Sequence, residues 1–269
     1  MGKLDGKVAF ITGAARGQGR AHAVRLAHEG ADIIASDICG PMKGLKYGAS
    51  SPEELDETKA LVEAEGRRAV TDVVDVRDLG ALEALAKKGV AELGRLDIVL
   101  ANAGVLNAGL TWEYDPEAWQ LVIDVNLTGV FNTVRATVPI MVAQGEGGSI
   151  VLTSSTAGLK GQPFTAPYTA AKHGVVGLAK TLANELGEHN IRVNTIHPAG
   201  VKTEMVKEPE LFELITRFQT TLGPLFMNTL PVEWMQPEDV SGLVAWLVSD
   251  EAKYVTGAQM PIDFGFTAR

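Results

Sequence analysis

Short apolar runs rich in β-forming residues alternate with longer stretches of helical periodicity along the whole chain. Most of the short runs are continuously apolar, which is typical of parallel strands covered on both faces. The pattern predicts strands over 7–12, 32–36, 69–74, 97–101, 149–153, 191–196 and 259–262. It predicts helices over 18–29, 53–65, 79–93, 116–143, 168–187 and 238–248. Such long alternation indicates one α/β domain, 1–269, built on a doubly wound parallel sheet of about seven strands with helices on both faces.

Two segments interrupt this alternation. Residues 38–51 number 14 where strand-to-helix loops usually have ~2–6, so we interpret them as an insertion. The insertion ends at a helix start, with Ser51 as the cap, Pro52 in the first turn and Glu54 completing a capping box. Residues 203–236 are rich in large apolar side chains, carry three prolines and lack clean periodicity. They form either a substrate lid or a long irregular connection with its own small core.

Composition excludes several classes of protein. The 269 residues are 46% hydrophobic and 21% charged, which is ordinary for a globular chain. The single cysteine, Cys39, excludes an internal disulfide and a thiolate cluster within one chain, and the five histidines show no metal-ligand spacing, so we expect no metal. The net charge of −9 and the absence of a basic cluster beyond 67–68 disfavour nucleic acid as a partner. The longest uncharged runs have 15 residues and the chain starts without an apolar signal core, so we expect a cytoplasmic protein and no membrane span.

A glycine-rich turn joins the first predicted strand to the first predicted helix. Its glycines permit a tight turn, a close backbone approach to phosphate and close packing of helix on strand. The helix N-terminus would present free amide groups and a partial positive charge to a pyrophosphate. This position in the chain favours a dinucleotide site, for which the candidate residues are Gly13, Arg16, Gly17, Gln18 and Gly19.

An acidic residue, Asp37, ends the second predicted strand, 18 residues beyond Gly19. A carboxylate there can accept both ribose hydroxyls of the adenosine and repel a 2′-phosphate, which favours NAD over NADP. Arg16 favours NADP instead, because a basic side chain at the turn could bind the 2′-phosphate. The alternative interpretation of Asp37 is a solvated loop acid.

Further candidates end the neighbouring strands. Ligands of open α/β sheets bind outside the carboxyl ends of the strands, so residues at those ends are expected to share one site. This adds Ile38, Asp75, Val76, Asn102, Ala103 and Gly104 to the predicted cofactor site.

Tyr168 and Lys172 stand four residues apart at the start of a predicted helix and therefore share one face. A free tyrosine has a pKa of ~10, and we expect a lysine ammonium within ~4–6 Å to lower that pKa. The phenolate could then take the hydroxyl proton of an alcohol while hydride leaves its carbon. The alternative interpretation is an exposed pair on a helix.

Two polar residues complete the candidate chemistry. Ser155 stands 13 residues before Tyr168, just past the fifth predicted strand, where its hydroxyl can hold the substrate oxygen. The adjacent Ser154 is the alternative choice. Asn126, inside a predicted helix, either joins a water chain or is a satisfied core residue.

Together these motifs resemble the short-chain dehydrogenase/reductase family over essentially the whole chain. The resemblance rests on Thr-Gly-x-x-x-Gly-x-Gly at 12–19, Asn-Ala-Gly at 102–104 and Tyr-x-x-x-Lys at 168–172, with Asn126 and Ser155. It implies a Rossmann fold and a catalytic tetrad in which the tyrosine is the acid/base and the lysine binds the nicotinamide ribose and perturbs the tyrosine. The serine orients the substrate oxygen, and the asparagine supports a proton-relay water. Residues 197–203 resemble the family's segment around the nicotinamide amide, with Pro-Ala in place of its usual Pro-Gly, and this adds Pro198, Val201 and Thr203, with Tyr168 and Lys172, to the cofactor site.

The insertion narrows the resemblance. Residues 37–41, the rest of the insertion and the Ser-Pro-Glu-Glu-Leu after it resemble the carveol dehydrogenase-like, or mycofactocin-coupled, subgroup. This implies oxidation of secondary alcohols, often terpene-like, with a tightly held NAD that a mycofactocin-type electron acceptor reoxidises in place. The family also implies a homotetramer in which the helices over 116–143 and 168–187 pair across one interface.

We therefore predict an NAD-dependent alcohol dehydrogenase acting on a small hydrophobic secondary alcohol. Leu159, Phe164, Met205 and 211–234 would line its apolar pocket near Tyr168. One alternative is a ketone or 3-oxoacyl reductase of the same family, which an NADP preference would support. The other is a catalytically silent nucleotide-binding sensor, which the intact serine, tyrosine and lysine disfavour.

Overall fold

Seven parallel strands form a single sheet in the computed structural model, which describes residues 2–269. The strands are β1 (Val8–Thr12), β2 (Asp32–Asp37), β3 (Ala69–Val73), β4 (Ile98–Ala101), β5 (Gly148–Thr153), β6 (Ile191–Pro198) and β7 (Gln259–Ile262). Their order across the sheet is β3-β2-β1-β4-β5-β6-β7, so the order reverses between β1 and β4. Such a reversal opens a crevice at the carboxyl edge of the sheet, where ligands of these folds bind. The predicted doubly wound parallel sheet is confirmed.

Helices cover both faces of the sheet. They are α1 (Gly17–His28), α2 (Pro52–Ala64), α3 (Leu79–Leu93), α4 (Pro116–Ile123), α5 (Gly129–Gln144), α6 (Ala166–Leu186), α7 (Pro209–Arg217) and α8 (Pro237–Val248). Successive side chains of a strand point to opposite faces. Accordingly Phe10 of β1 packs into the core under α3, α5 and α6, whereas Ile11 packs into the core under α1, α2 and α8. Both residues are fully buried, which explains why the strands have continuous apolar runs.

Two predicted elements differ from the structure. The predicted helix over 116–143 is divided by a π-helical turn, Asp124–Thr128, which separates α4 from α5. In the segment over 203–236, which we interpreted as lacking clean periodicity, α7 forms a short amphipathic helix. Its apolar side chains recur with helical spacing only from 211 to 218, and this short repeat is hidden when the whole segment is considered together.

The other helix starts follow the sequence closely. The predicted capping box of α2 is present, since the Ser51 side chain accepts the Glu54 amide and Glu54 accepts the Ser51 amide. Among residues 2–269, no helix combines the length and the apolar character needed to cross a membrane.

Candidate active site

Asn102 fastens the glycine-rich turn to the end of β4. Its side-chain amide donates to the carbonyl oxygens of Thr12 and Gly13, at 3.0 and 3.3 Å. In return, the Thr12 hydroxyl oxygen accepts the backbone amides of Asn102 and Ala103, at 3.1 and 3.2 Å. These four hydrogen bonds fix the distance between the first helix and the switch point of the sheet.

Two positions in this turn require glycine, each for a different physical reason. Gly17 has a φ of 56°, a left-handed conformation that most side chains disfavour. Gly19 has no such constraint, but a Cβ there would lie 2.0 Å from the Gly13 carbonyl oxygen. The turn therefore brings the N-terminus of α1 close to β1, which is the arrangement that exposes amide groups to an anion.

Most of the predicted cofactor residues line one crevice at this edge. They are Gly13, Arg16, Gly17, Gln18, Gly19, Asp37, Ile38, Asp75, Val76, Asn102, Ala103, Gly104 and Thr203. Pro198, Val201, Tyr168 and Lys172 are not part of its wall. The Oε1 atom of Gln18 is buried there without a hydrogen-bond partner, and the first turn of α1 opens into the same space. A dinucleotide fits this donor and acceptor set.

Asp37 already has three donors from the protein. One carboxylate oxygen accepts the Ala15 amide at 3.0 Å, and the other accepts the Ser50 hydroxyl at 2.6 Å and the Cys39 amide at 3.3 Å. A carboxylate offers roughly four acceptor positions. Asp37 therefore has room for about one further donor, fewer than the two ribose hydroxyls we expected from the sequence.

We call the insertion, residues 38–51, the strap, because it spans the crevice. The Tyr47 hydroxyl accepts the Leu106 amide at 3.0 Å on the β4 side. Lys43 pairs with Glu117 of α4 at 2.8 Å, and Lys46 pairs with Glu210 of α7. Met42, Leu45, Tyr47 and five smaller residues of the strap also line the crevice. Sequence reasoning placed the strap beside the crevice but missed Tyr47, whose signal was a lone aromatic among small and polar residues.

Asp75, expected at the cofactor, forms an ion pair with Arg77. Burial raises the pKa of Asp75, but the hydrogen bonds and charge of Arg77 outweigh that effect and hold the pKa below its usual value. Asp75 therefore stays ionised at the crevice wall, with part of its hydrogen-bonding capacity already used.

Tyr168 and Lys172 lie on one face at the start of α6. The Lys172 ammonium nitrogen is 5.4 Å from the centre of the Tyr168 ring and donates to the Thr153 carbonyl at 2.7 Å. Burial lowers the pKa of Lys172 to about 7. Burial also raises the pKa of Tyr168, against a hydrogen bond with the Ser155 side chain that lowers it. The prediction that Lys172 lowers this pKa is wrong here, because the burial that brings the two groups together also weakens the lysine charge.

The two adjacent serines have different partners. Ser154 donates to the Lys172 carbonyl at 3.0 Å and is thereby turned into the packing against α6. Ser155 caps a short turn by accepting the Ala157 amide at 3.1 Å. Its side chain also forms the hydrogen bond that lowers the pKa of Tyr168. His197 holds the Ser155 backbone, with Nδ1 2.8 Å from the Ser155 carbonyl oxygen. Of the two candidates, Ser155 is the one placed to meet a substrate oxygen.

Asn126 lies in the π-helical turn and is fully buried. Its side-chain oxygen accepts the Val105 amide at 3.0 Å, and its amide donates to the carbonyls of Val105 and Val122, at 2.8 and 2.9 Å. These contacts make it a satisfied core residue that links the loop after β4 to the π-helical turn.

Of the predicted cofactor residues Pro198, Val201 and Thr203, only Thr203 lines the crevice. Pro198 pairs with Ile262 in the sheet, and Val201 is buried in a bridge to Met235. Ala199, where the resembling family usually has glycine, does not adopt a positive φ. The alanine is therefore accommodated without backbone strain.

An apolar cluster surrounds Phe164, four residues before Tyr168 in the chain. The Phe164 ring is 5.5 Å from that of Phe218 and 6.1 Å from that of Phe226, measured between ring centres. Ala108 and Leu214 of α7 pack into the same cluster. Met205, which we expected here, lines the crevice instead.

Comparison with known proteins supports the family resemblance that the sequence motifs indicate. A family model described as enoyl-(acyl carrier protein) reductase matches residues 13–267. The chain is 45% identical to (−)-trans-carveol dehydrogenase of Rhodococcus erythropolis, over the full length of both. It is 51% identical to an NAD-dependent oxidoreductase of Mycobacterium tuberculosis, covering 98% of this chain and 97% of the relative. The crystal structure of carveol dehydrogenase from Mycobacterium avium in complex with NAD superposes with a TM-score of 0.95, at 51% identity and full coverage of both chains.

Proposed function

The chain belongs to the short-chain dehydrogenase/reductase family, and we propose that it is an NAD-dependent dehydrogenase that oxidises a hydrophobic, terpenoid-like secondary alcohol to the ketone. The observation that carries this proposal is the grouping of Tyr168, Ser155 and Lys172 beside Gly104 of the crevice wall. The NAD complex and the carveol dehydrogenase names among the relatives support the choice of cofactor and of alcohol.

The role of each residue in the reaction follows from its surroundings. NAD, held by the glycine-rich turn, Asp37 and Asn102, supplies a hydride acceptor when bound. In its phenolate form, which the hydrogen bond from Ser155 favours, Tyr168 would take the hydroxyl proton of the alcohol, and Ser155 would orient the same oxygen. Lys172, fixed by the Thr153 carbonyl beside the Tyr168 ring, would hold the ribose of the bound nucleotide.

The 203–236 segment supplies the rest of the pocket. We propose that it is the substrate lid, since α7 places Leu214 against Phe164 while Phe218 and Phe226 stack on the same ring. An apolar lid with few polar groups suits a hydrocarbon skeleton that carries one hydroxyl.

Replacement of Tyr168 tests the enzymatic role directly. We expect Tyr168→Phe to lower kcat/KM for a cyclic secondary alcohol such as carveol by about 10²–10⁴-fold, because it removes the acid/base but little volume. Binding of NAD, measured by calorimetry, should stay within about threefold of wild type. Tyr254→Phe, at an exposed position, is the matched control.

Three outcomes would contradict the proposal. Unchanged turnover in Tyr168→Phe would exclude the assigned acid/base. Absence of oxidation for every alcohol, with nucleotide binding retained, would favour a sensor. Preferential ketone reduction with NADPH would favour the reductase alternative.

We further propose that NAD stays bound through turnover and that a mycofactocin-type acceptor removes its electrons. The support is the resemblance of the strap sequence and the way residues 40–50 line the crevice. Mass spectrometry should detect NAD in the purified protein after prolonged dialysis, and a freely exchanging nucleotide would contradict this.

We propose a homotetramer in which α5 and α6 pair with a second copy. Phe131 of α5 is 45% exposed, and a Cβ on Gly177 of α6 would meet nothing within 4 Å, so both helices offer surface for close approach. Gly174 is used within the chain, where its missing Cβ makes room for Leu127. Mass measurement in solution should give four copies, and Phe131→Glu should reduce that number.

A further inference from the structure

The crevice wall offers a 2′-phosphate a single cation. Arg16 is the only lysine or arginine that lines it among the described residues, whereas Asp37, Asp75 and Glu204 are acidic. Arg16 stands at the glycine-rich turn, next to the edge at which Asp37 ends β2. Whether the site accepts NADP therefore depends largely on what the Arg16 guanidinium can reach.

The strap holds that guanidinium. One terminal nitrogen of Arg16 donates to the Ala49 carbonyl at 3.0 Å, and the other donates to the Gly48 carbonyl. A Glu54 carboxylate oxygen lies 3.9 Å away. These partners direct the donor groups of Arg16 towards the strap, and turning them to a phosphate would leave both carbonyls without this donor.

The strap also orients Asp37. The Ser50 hydroxyl donates to one carboxylate oxygen at 2.6 Å, while the Ala15 amide holds the other at 3.0 Å. Neither donor is cationic, so the negative charge of Asp37 remains uncompensated at the adenosine end. The same three-residue stretch, 48–50, therefore both keeps the Asp37 carboxylate in place and holds the Arg16 guanidinium.

We propose that the strap, through the Gly48 and Ala49 carbonyls and the Ser50 hydroxyl, determines that this site takes a nucleotide without a 2′-phosphate. This inference rests on the proposed function, since it concerns the same nucleotide site. It implies that loss of the Asp37 charge alone does not produce an NADP site, because Arg16 stays bound to the strap.

Three variants test this by calorimetric titration with NAD and NADP after removal of bound nucleotide. Asp37→Ser should weaken NAD binding by about tenfold and strengthen NADP binding by less than about threefold. Adding Arg16→Leu to it should leave NADP affinity within about threefold. Adding Ile38→Arg instead, which places on the crevice wall a cation that the Gly48 and Ala49 carbonyls do not already hold, should strengthen NADP binding by about tenfold or more.

The competing outcomes are distinct. If Arg16→Leu lowers the NADP affinity of Asp37→Ser by tenfold or more, Arg16 reaches the phosphate and the inference is overturned while the proposed function stands. If folded wild-type protein binds neither nucleotide, the proposed function fails and the inference fails with it. Ser50→Ala should reduce the ratio of NAD to NADP affinity by several-fold, and an unchanged ratio would remove the hydroxyl from the proposal.

Discussion

At the scale of single residues, the burial of Glu208 could not be predicted from the sequence. It is 1% exposed, and neither carboxylate oxygen has a hydrogen-bond partner. Burial raises its pKa and the negative charge of Glu210 adds to this, whereas the positive charge of Lys46 lowers it. By contrast, Asp37 and Asn102 were predictable, because their spacing from the glycine-rich turn places them at one sheet edge. Nothing in the letters Glu-Pro at 208–209 indicates burial, which arises only when α7 packs beside the strap.

We expect Glu208→Gln to stabilise the protein by about 1–2 kcal/mol at pH 8, since the wild type buries an unpartnered charge there. A carboxyl whose folded pKa exceeds its unfolded pKa favours folding below the unfolded value and loses that contribution as pH rises through the folded value. The advantage of the variant should therefore shrink as pH falls towards about 4.3, the unfolded pKa. Urea denaturation at pH 5 and pH 8 measures it. Glu213→Gln, at an exposed position of α7, is the control, and a pH-independent difference would contradict the argument.

At the scale of an element, the π-helical turn likewise could not be predicted from the sequence. The hydrophobic pattern predicted the extent of the helix over 116–143 correctly. The π-helical turn inside it adds only one residue to a turn, which does not change the local periodicity of the sequence. The turn is held by a tertiary contact, the pairing of Asn126 with both backbone groups of Val105. The short α7 was missed for the opposite reason, because the irregular segments around it obscured its two turns. Elements fixed by alternation with the sheet were predictable, and elements fixed by one long-range contact were not.

Asn126→Ala should cost about 2–3 kcal/mol, because it leaves a buried backbone amide and carbonyl of Val105 without these partners. Asn132→Ala is the matched control on α5, since it loses a bond to the Val76 carbonyl but leaves no donor unpaired. The control should cost less, about 1 kcal/mol. The free energies of unfolding in urea give the comparison, and equal losses would show that the π-helical turn is stabilised elsewhere.

At the scale of the whole molecule, the strap joins the glycine-rich turn, the loop after β4, α4 and α7 into one enclosure around the crevice. Sequence reasoning could place the strap beside the crevice, since it follows Asp37 directly, but not its attachments, which involve residues as distant as Glu210. Their strengths differ. The Tyr47 hydroxyl meets the Leu106 amide at a partly buried position, whereas Lys46 and Glu210 pair through half-exposed side chains. The first attachment should dominate, because exposed ion pairs contribute only about 0–1 kcal/mol.

We therefore expect Tyr47→Phe to speed release of bound NAD by about 5–30-fold, since it removes a buried acceptor worth about 1–2 kcal/mol. Lys46→Ala should speed release by less than about fivefold. Exchange against an excess of isotopically labelled NAD, followed by mass spectrometry, measures both rates. Lys88→Ala, which removes a surface pair with Asp72 on β3, should leave the rate unchanged. If Lys46→Ala speeds release as much as Tyr47→Phe, the ion pair with α7 holds the strap as strongly as the hydrogen bond to Leu106, which would contradict the argument from exposure.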